Sequence, residues 1–499
     1  MLPLARKLYS LNCYRSTTFG VCVPELSQRR RLLVLAICCL SLFVVSMDTT
    51  IVNLALPSIE RDFSAGVSSL QWTIDAYTLV LASLLMLSGS TADRIGRRRT
   101  FQAGLVLFTL GSLLCSVAPN IGLLIAFRMV QAVGGSMLNP VAMSIITNTF
   151  TDARERARAI GIWGAVVGLS MALGPVVGGL LVDAVGWRSI FWINIPVGVA
   201  ALVLTALFVP ESKAPRARRL DPVGQLLVVV ALASLTYGII EAPHHGWLSG
   251  LTVACFVVAA AAAAGLVVYE RRRAEPLLDP RFFASAPFSG ATVIAVCGFA
   301  GLSGFLFLNA LYLQNVRGFT PLHAGLLTLP SALAIFALAP LSGRLVATRG
   351  SRIPLVTGGL GLAVSGVLLT RLGADTGIGW LVVTYVVFGA GFGMLNPPIT
   401  NTAVSGMPRA QAGVAAAVAS TSRQVGASLG VAVLGAVVTT HITGAFTTGF
   451  PAASHIAWWI MAGCGVVVMA LGVLTTSPWA MATARRATVL FDEPAGVRT

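Results

Sequence analysis

The chain has 499 residues, of which 56% are hydrophobic and only 10% are charged, and its mean hydropathy is +0.84. Soluble globular domains carry about 25% charged residues. The composition therefore excludes a water-soluble globular protein and predicts an all-α protein that crosses a membrane many times. The net charge of +16 could suit a nucleic-acid-binding protein. The distribution of the basic residues along the chain excludes that class.

A membrane-spanning helix needs about 20 predominantly apolar residues. The apolar runs predict fourteen such helices, near residues 32–55, 70–90, 100–118, 121–146, 158–182, 190–209, 221–241, 249–269, 287–309, 322–346, 353–371, 378–400, 412–437 and 456–476. With the N-terminus inside, the cytoplasmic segments hold 28 Lys and Arg residues and the outer loops hold four. This asymmetry predicts that both termini are cytoplasmic. The use of 32 arginines against two lysines, with many Ala, Gly and Val residues, indicates a GC-rich bacterial genome, so we expect the protein in a bacterial cytoplasmic membrane.

The basic segments also suggest how the chain is divided. We predict an N-terminal six-helix half, an inserted helix pair with a basic linker, a C-terminal six-helix half and two cytoplasmic tails; these are residues 32–209, 210–286, 287–476, 1–31 and 477–499. The two halves repeat each other, because Gly134–Pro140 (GGSMLNP) aligns with Gly391–Pro397 (GFGMLNP) at an offset of 257 residues. Related halves are the architecture of rocking secondary transporters.

Charged side chains are predicted inside the hydrocarbon layer. If Pro57 ends the first helix, Asp48 lies about 13 Å and Arg128 about 10 Å below the outer surface. Charges at such depth face the bundle interior and pair with each other, so we expect an ion pair. Asp48 is then a candidate proton carrier, because dehydration and the distance to Arg128 would control its protonation; a static pair that orders two helices is the alternative. Asp75, in the second span, is a second candidate carrier or a selector of cationic substrates.

The segment Gly89–Arg99 (GSTADRIGRRR) interrupts two apolar runs and predicts a hydrated cytoplasmic turn. Its candidate gating residues are Gly89, Asp93, Arg94, Gly96, Arg97 and Arg98. We hypothesise that Asp93 and the arginines lock the cytoplasmic side closed and release it when the halves rock. The alternative is that this basic turn only sets topology.

The fifth span contains the small-residue segment Gly164–Gly179 (GAVVGLSMALGPVVGG). Its candidate packing residues are Gly164, Gly168, Gly174, Pro175, Gly178 and Gly179. Small residues at this spacing allow two helix backbones to approach closely, and the proline is expected to bend the helix. Whether this contact also seals a translocation path is left open.

Polar residues in the spans are predicted to face a substrate cavity. They are Gln131, Asn139, Asn309, Gln314, Asn396 and Arg423, and Trp72, Phe305 and Tyr312 could stack on a substrate. Interhelical hydrogen bonds are the alternative role for all of them. Arg423 is either structural or attracts an anionic substrate, and Glu241 is expected to be solvated.

The motifs argue against ATP use and against enzymatic chemistry. Neither lysine follows a G-x-x-x-x-G run, and the sequence has no H-E-x-x-H motif and no credible Ser-His-Asp set. We therefore expect no metal and no cofactor, with an ion gradient as the energy source. A membrane-embedded enzyme remains a remote alternative. A receptor or scaffold protein is a further alternative, although no extramembrane segment is long enough for a separate domain.

The motifs together resemble the major facilitator superfamily, and within it the fourteen-helix drug:proton antiporters of the EmrB/QacA type. The segments that carry the resemblance are the DTTIVN run from Asp48, the loop Gly89–Arg99, Arg128 with Gln131 and Gly134, and Gly164–Gly179. The resemblance covers residues 32–476 and departs at Ala347 and Ala132. It implies a proton-coupled exporter of small lipophilic or cationic compounds such as antibiotics, acting as a monomer with protons and the lipid bilayer as partners. An uptake symporter and a dedicated metabolite exporter are the alternatives.

Overall fold

The structure is a computed structural model that describes residues 27–214, 221–273, 276, 279–405, 407–408 and 411–492. These residues form sixteen α-helices and no β-strand. The helices are α1 Gln28–Phe63, α2 Val67–Ile95, α3 Arg97–Ser116, α4 Ile121–Thr149, α5 Ala153–Ala184, α6 Ser189–Trp192, α7 Asn194–Phe208, α8 Pro222–His245, α9 Gly250–Arg271, α10 Ala286–Leu311, α11 Pro321–Arg349, α12 Arg352–Leu369, α13 Ile378–Ser405, α14 Ala412–His441, α15 Phe446–Thr475 and α16 Pro478–Asp492. A 3₁₀ turn, Pro280–Ala284, precedes α10, and a π-helical turn, Tyr312–Val316, follows it. Most of the predicted N-terminal tail, part of the linker and the end of the C-terminal tail lie outside the described residues.

Thirteen helices in this part of the chain are long and apolar enough to cross a membrane. The predicted polytopic, all-α fold is therefore confirmed. The remaining predicted span corresponds to α3, a 20-residue helix whose first turn, Arg97–Arg99, lowers its mean hydropathy. The assignment to a fourteen-span branch stays a prediction.

Two predicted helix ends were wrong. Pro57 does not end the first helix, because α1 continues through it to Phe63. A proline removes one backbone donor and disturbs one carbonyl group, and neighbouring helices in a bundle can accommodate that loss. The predicted turn Gly89–Arg99 is also mostly helical, because α2 extends to Ile95 and α3 begins at Arg97.

The helices pack in two groups, and each group contains an equivalent pair of closely packed helices. We call α1–α7 the N-terminal group and α10–α15 the C-terminal group, because most contacts of each helix fall within its own group. In the first group Gly134 of α4 packs directly on the backbone of Phe108 in α3. In the second, a Cβ atom added at Gly391 of α13 would lie 2.8 Å from the backbone nitrogen of Leu362 in α12. The repeated glycines thus make equivalent helix contacts.

The two groups contact each other at one end of the bundle. We call the end with the α2–α3 turn the basic face and the opposite end the far face. Near the far face, α2 and α14 are joined by hydrogen bonds from Nε2 of Gln71 to the carbonyl oxygens of Val431 and Ala432, 2.9 and 3.0 Å long. Towards the basic face, Gly164 of α5 and Gly343 of α11 have no neighbour within 4 Å of an added Cβ atom. The groups are therefore closed at the far face and apart at the basic face.

The inserted helices α8 and α9 form a hairpin beside the seam between the groups. α8 packs against α9, α2 and α14. Its carboxylate Glu241 accepts hydrogen bonds of 2.8 Å from the Ser68 hydroxyl and the Trp72 indole N–H of α2. The prediction that Glu241 is solvated was wrong, because α2 presents two donors to it. Trp72 likewise packs on Tyr237 of α8, with ring centroids 5.9 Å apart.

Candidate functional site

Asp48 of α1 and Arg128 of α4 form an ion pair inside the N-terminal group. Nη1 of Arg128 is 2.5 Å from Oδ2 of Asp48, and the two side chains are 1% and 0% exposed. Nε of the same guanidinium donates to the carbonyl oxygen of Thr73, and its Cζ lies 4.1 Å from the ring centroid of Tyr77. The depth argument from the sequence therefore predicted the correct partners, although it placed the end of α1 wrongly.

Neutral side chains complete the hydrogen bonding of this pair. Nε2 of Gln131 and Nδ2 of Asn194 donate to Oδ1 of Asp48 over 2.9 and 3.0 Å. Nη1 of Arg128 also donates to Oε1 of Gln131 over 2.8 Å, and Nδ2 of Asn194 donates to the Ser112 hydroxyl over 3.0 Å. The network, which we call the charge network, thus connects α1, α3, α4 and α7.

The charge network compensates a buried carboxylate. Asp48 accepts three hydrogen bonds, one of them from a cation. A buried ion pair is stable only while its geometry and its additional hydrogen bonds are intact. A shift of α1 or α4 would therefore remove this compensation.

Asp75 of α2 has very different surroundings. Its side chain is 0% exposed, and no Lys, Arg or His in the described part of the chain forms an ion pair with it. The Thr78 hydroxyl lies 3.5 Å from Oδ1, and Oδ2 has no hydrogen-bond partner. An ionised carboxylate in such a position would cost several kcal/mol. Asp75 thus lacks the cation that Asp48 has in Arg128.

The predicted gating turn consists of one non-helical residue, Gly96. Its φ of +129° is a conformation that favours glycine. Oδ1 of Asp93 pairs with Nη2 of Arg97 one helical turn later, at 2.9 Å. Gly89 and the exposed Arg94 belong to the last turns of α2. The gating role of this segment stays a prediction.

Glu211, after α7, caps α3 at this turn, and sequence reasoning did not single it out. Its carboxylate accepts from the backbone N–H groups of Arg98 and Arg99 over 3.1 and 3.3 Å. A Cβ atom added at Gly96 would lie 2.6 Å from Oε1 of Glu211. Sequence reasoning missed this cap because Glu211 is far from α3 in the sequence, whereas a capping acid is normally sought within the helix's own first turn.

The glycines of α5 divide into two sets. Gly174 packs on the Thr50 hydroxyl, and a Cβ atom added at Gly178 would lie 2.5 Å from Cγ1 of Ile51. These two glycines therefore allow α5 to approach α1 closely. Pro175 lies between them inside a continuous helix.

The other glycines of α5 show where the groups meet. A Cβ atom added at Gly179 would lie 2.5 Å from the carbonyl oxygen of Pro321 in α11, so this glycine belongs to the closed far face. Gly164 has no neighbour within 4 Å, and an atom added at Gly168 would lie 3.6 Å from Phe336. The prediction of one continuous packing face was wrong for Gly164, because α5 and α11 diverge there.

Several residues predicted to face a cavity serve other contacts. Gln131 belongs to the charge network and is 0% exposed. Asn309 is 2% exposed and accepts a hydrogen bond from the Tyr385 hydroxyl. Nε2 of Gln314 donates to the carbonyl oxygen of Leu54 over 2.9 Å and so joins the two groups near the far face. The cavity prediction was therefore wrong for these three residues.

The remaining predicted cavity residues are partly accessible. Asn139, Asn396 and Arg423 are half-buried. The predicted stacking residues are not available, because Phe305 and Tyr312 are both 0% exposed. Buried aromatic rings that fill a helix interface cannot also contact a substrate in this conformation.

Asn194 and Ser112 of the charge network were also missed by sequence reasoning. Both side chains are buried, with exposed fractions of 1% for Asn194 and 0% for Ser112. Asn194 is the first residue of α7. The available signal was the presence of a polar residue at the start of an apolar span. No sequence pattern, however, assigns its partner on another helix.

Two groups of spanning helices, closed at one face and apart at the other, with a buried ion pair inside one group, are the architecture of a membrane transporter. Residues 38–431 match the model of the Major Facilitator Superfamily, and the chain belongs to this family. It is thus a transporter rather than an enzyme, and a multi-pass membrane protein with bacterial relatives.

Several relatives are named for resistance to drugs or antibiotics. The chain is 39% identical over 410 residues to multidrug resistance protein Stp of Mycobacterium tuberculosis, which covers 82% of the chain and 76% of that protein. It is 37% identical over 404 residues to the tetracenomycin C resistance and export protein of Streptomyces glaucescens, covering 81% and 75%. It is 36% identical to the methylenomycin A resistance protein of Streptomyces coelicolor, covering 79% and 83%.

Solved structures show the same fold at low sequence identity. A POT family transporter in complex with a thioalcohol conjugated peptide matches with a TM-score of 0.67 and 16% identity, covering 91% of this chain and 96% of that one. The partially occluded inward-open xylose transporter XylE from E. coli matches with a TM-score of 0.62 and 15% identity, covering 90% and 98%. These similarities concern the fold alone.

Proposed function

We propose that this protein exports small lipophilic compounds such as antibiotics in exchange for protons. The observation that carries the coupling mechanism is the charge network, in which a fully buried carboxylate is balanced by one arginine and two amides. The resistance and export names of the relatives support the direction of transport. With the basic face in the cytoplasm, the present conformation would be open to the cytoplasm and ready to accept a substrate from that side.

Asp48 is the proton carrier in this mechanism. In the conformation seen here it is paired with Arg128. When the groups rock, the helices that supply its partners move relative to one another, and Asp48 takes up a proton from the far side. Its return to the present geometry releases that proton at the basic face.

The test is transport of ethidium by purified protein reconstituted into liposomes with an imposed pH difference. Asp48→Asn should abolish ethidium movement driven by that difference, because the amide cannot exchange a proton. Asp183→Asn is the matched control, since Asp183 is an exposed acid near the far end of α5, and it should transport like the wild type. Undiminished transport by Asp48→Asn would exclude Asp48 as the carrier.

Asp75 is a second candidate carrier, because a buried acid without a cation already favours the protonated form. Asp75→Asn separates the two candidates when proton counterflow is measured with a pH-sensitive dye. Loss of proton movement in Asp75→Asn but not in Asp48→Asn would identify Asp75, rather than Asp48, as the proton carrier. Movement of ethidium in the same direction as protons would contradict antiport and identify an uptake symporter.

A further inference from the structure

The C-terminal group contains a cation without a counter-ion. Arg423 of α14 is half-buried and forms no ion pair with any described residue. Between residues 287 and 476 the only acidic residue is Asp375, which is exposed in the α12–α13 connection. Asp75 on α2, a helix that packs against α14, is buried but forms no ion pair with Arg423, and the polar side chains beside it are Thr78 and Ser428.

The contacts of Arg423 are neutral. Its Nη2 donates to the Thr400 hydroxyl on α13, and its Cζ lies 5.9 Å from the ring centroid of Phe299 on α10. Its Nε is buried without a hydrogen-bond partner. An arginine inside a membrane normally pairs with an acid or with several acceptors. The present contacts leave its charge uncompensated.

Asn396 adds a further donor beside Arg423. It precedes Thr400 by four residues on α13, so the two side chains lie on one face of that helix. Asn396 is half-buried and makes no hydrogen bond with another described residue. The guanidinium of Arg423 thus contacts the Thr400 hydroxyl, and the Asn396 amide lies one turn away on the same face of α13.

The position of this cluster suits a substrate. Arg423 precedes Val431 by eight residues and so lies about 12 Å closer to the basic face along α14. Val431 accepts the hydrogen bond from Gln71 that closes the far face. Arg423 thus lies on the basic-face side of that closure and is half-buried.

We propose that Arg423, Thr400 and Asn396 bind the acidic group of the exported compound, so that lipophilic aromatic acids are the preferred substrates. A carboxylate accepts two hydrogen bonds from a guanidinium in a geometry that lysine cannot reproduce. The ring of Phe299, which contacts Phe392 at a centroid distance of 5.1 Å, provides an apolar surface beside it. The inference rests on the proposed export function and narrows its substrate class from small lipophilic compounds in general to lipophilic acids.

The transport test uses two fluorescent dyes that differ in one group. Rhodamine 110 has a free carboxylate, and rhodamine 123 is its methyl ester. The wild type in liposomes should move the acid faster than the ester. Arg423→Gln should lower the ratio of acid to ester transport about tenfold or more, and Arg423→Lys should lower it less. Arg371→Gln, which removes an exposed arginine of the same group, should leave the ratio unchanged.

A wild-type preference for the ester would overturn the proposal, and so would an equal loss of both dyes in Arg423→Gln. Binding is measured separately, as the change in Tm of purified protein with 1-naphthoate or 1-naphthamide. We expect naphthoate alone to raise the Tm, and only when Arg423 is present. Stabilisation by naphthoate without any drug transport would contradict the proposed export but support the anion site. Equal effects of both compounds would contradict the anion site whatever the protein transports.

Discussion

The N-terminal and C-terminal groups differ most at positions that the repeat makes equivalent. Tyr385 lies 257 residues after Arg128, the same offset that relates the two MLNP segments, and Phe305 lies 257 residues after Asp48. Where the first group has an ion pair, the second has two aromatic rings whose centroids are 5.4 Å apart. The contact between the helices is therefore present in both groups, but it is an ion pair in the first and an aromatic pair in the second.

A third position follows the same rule. Gln131 contacts Asp48 in the first group, and Phe388, again 257 residues later, stacks on Phe305 with a centroid distance of 4.2 Å. Packed aromatic rings depend little on solvent or protonation, whereas a buried carboxylate depends on both. The comparison teaches that one fold can hold a buried ion pair in one repeat and an aromatic packing contact in the other.

The largest expected effect comes from removing the cation of the charge network. Arg128→Met leaves Asp48 buried without compensation, which typically costs about 3–5 kcal/mol. The Tm of the purified variant should fall strongly, and the double variant Asp48→Asn/Arg128→Met should recover part of the loss without recovering transport. An unchanged Tm in Arg128→Met would show that the pair contributes little to stability.

A large effect on transport is expected at the far face. Gly179→Val places a side chain against the carbonyl oxygen of Pro321, so the two groups cannot close there as they do in this structure. Transport should fall about tenfold, equivalent to about 1.4 kcal/mol. Gly164→Val, on the same helix where the groups are apart, is the control and should stay within about twofold. An equal loss of transport in both variants would show that a larger side chain anywhere on α5 reduces transport.

A smaller effect is expected from the aromatic counterpart of Arg128. Tyr385→Phe removes the hydroxyl that donates to Asn309 and leaves a buried acceptor without a partner, which costs about 1–3 kcal/mol. The Tm should fall by a corresponding amount, while the dependence of transport on the pH difference should be unchanged. A loss of coupling in Tyr385→Phe would contradict the assignment of the titrating site to the N-terminal group alone.

The smallest effect concerns the two interhelical turns. Gly96 is held by the Glu211 cap. Gly350 (φ +80°), 254 residues later in the α11–α12 turn, is followed by Ser351, whose hydroxyl accepts from Asn401 over 3.0 Å. Glu211→Ala should cost about 1 kcal/mol, as for other helix N-caps, and should speed hydrogen exchange at the start of α3. Ser351→Ala is the matched variant in the second group. Faster exchange in Ser351→Ala than in Glu211→Ala would reverse the comparison.

The sequence predicted much of the fold because a bilayer imposes strict rules on it. Runs of apolar residues must form helices in hydrocarbon, and the helices were found close to the predicted spans. The partners Asp48 and Arg128 followed from their matched depths. Helix ends were less predictable, as Pro57 shows, because a bundle can compensate for a missing backbone donor.

The cavity residues were predicted poorly for a different reason. Asn309, Gln314 and Gln131 are polar residues in apolar spans, as a cavity residue would be, yet each one satisfies a partner on another helix. Polarity alone does not distinguish these two roles. Only the position of the facing helix does so.

The sequence by itself determined that the chain crosses a membrane repeatedly, that it consists of related segments, and that an acid and an arginine share one depth. These properties depend on composition, spacing and the cost of placing charge in hydrocarbon. Only the tertiary structure decided which amides join the ion pair, that Glu211 caps α3, and that Arg423 has no acidic partner among the described residues. Those relations join residues far apart in the chain, and packing between helices alone brings them within hydrogen-bonding distance.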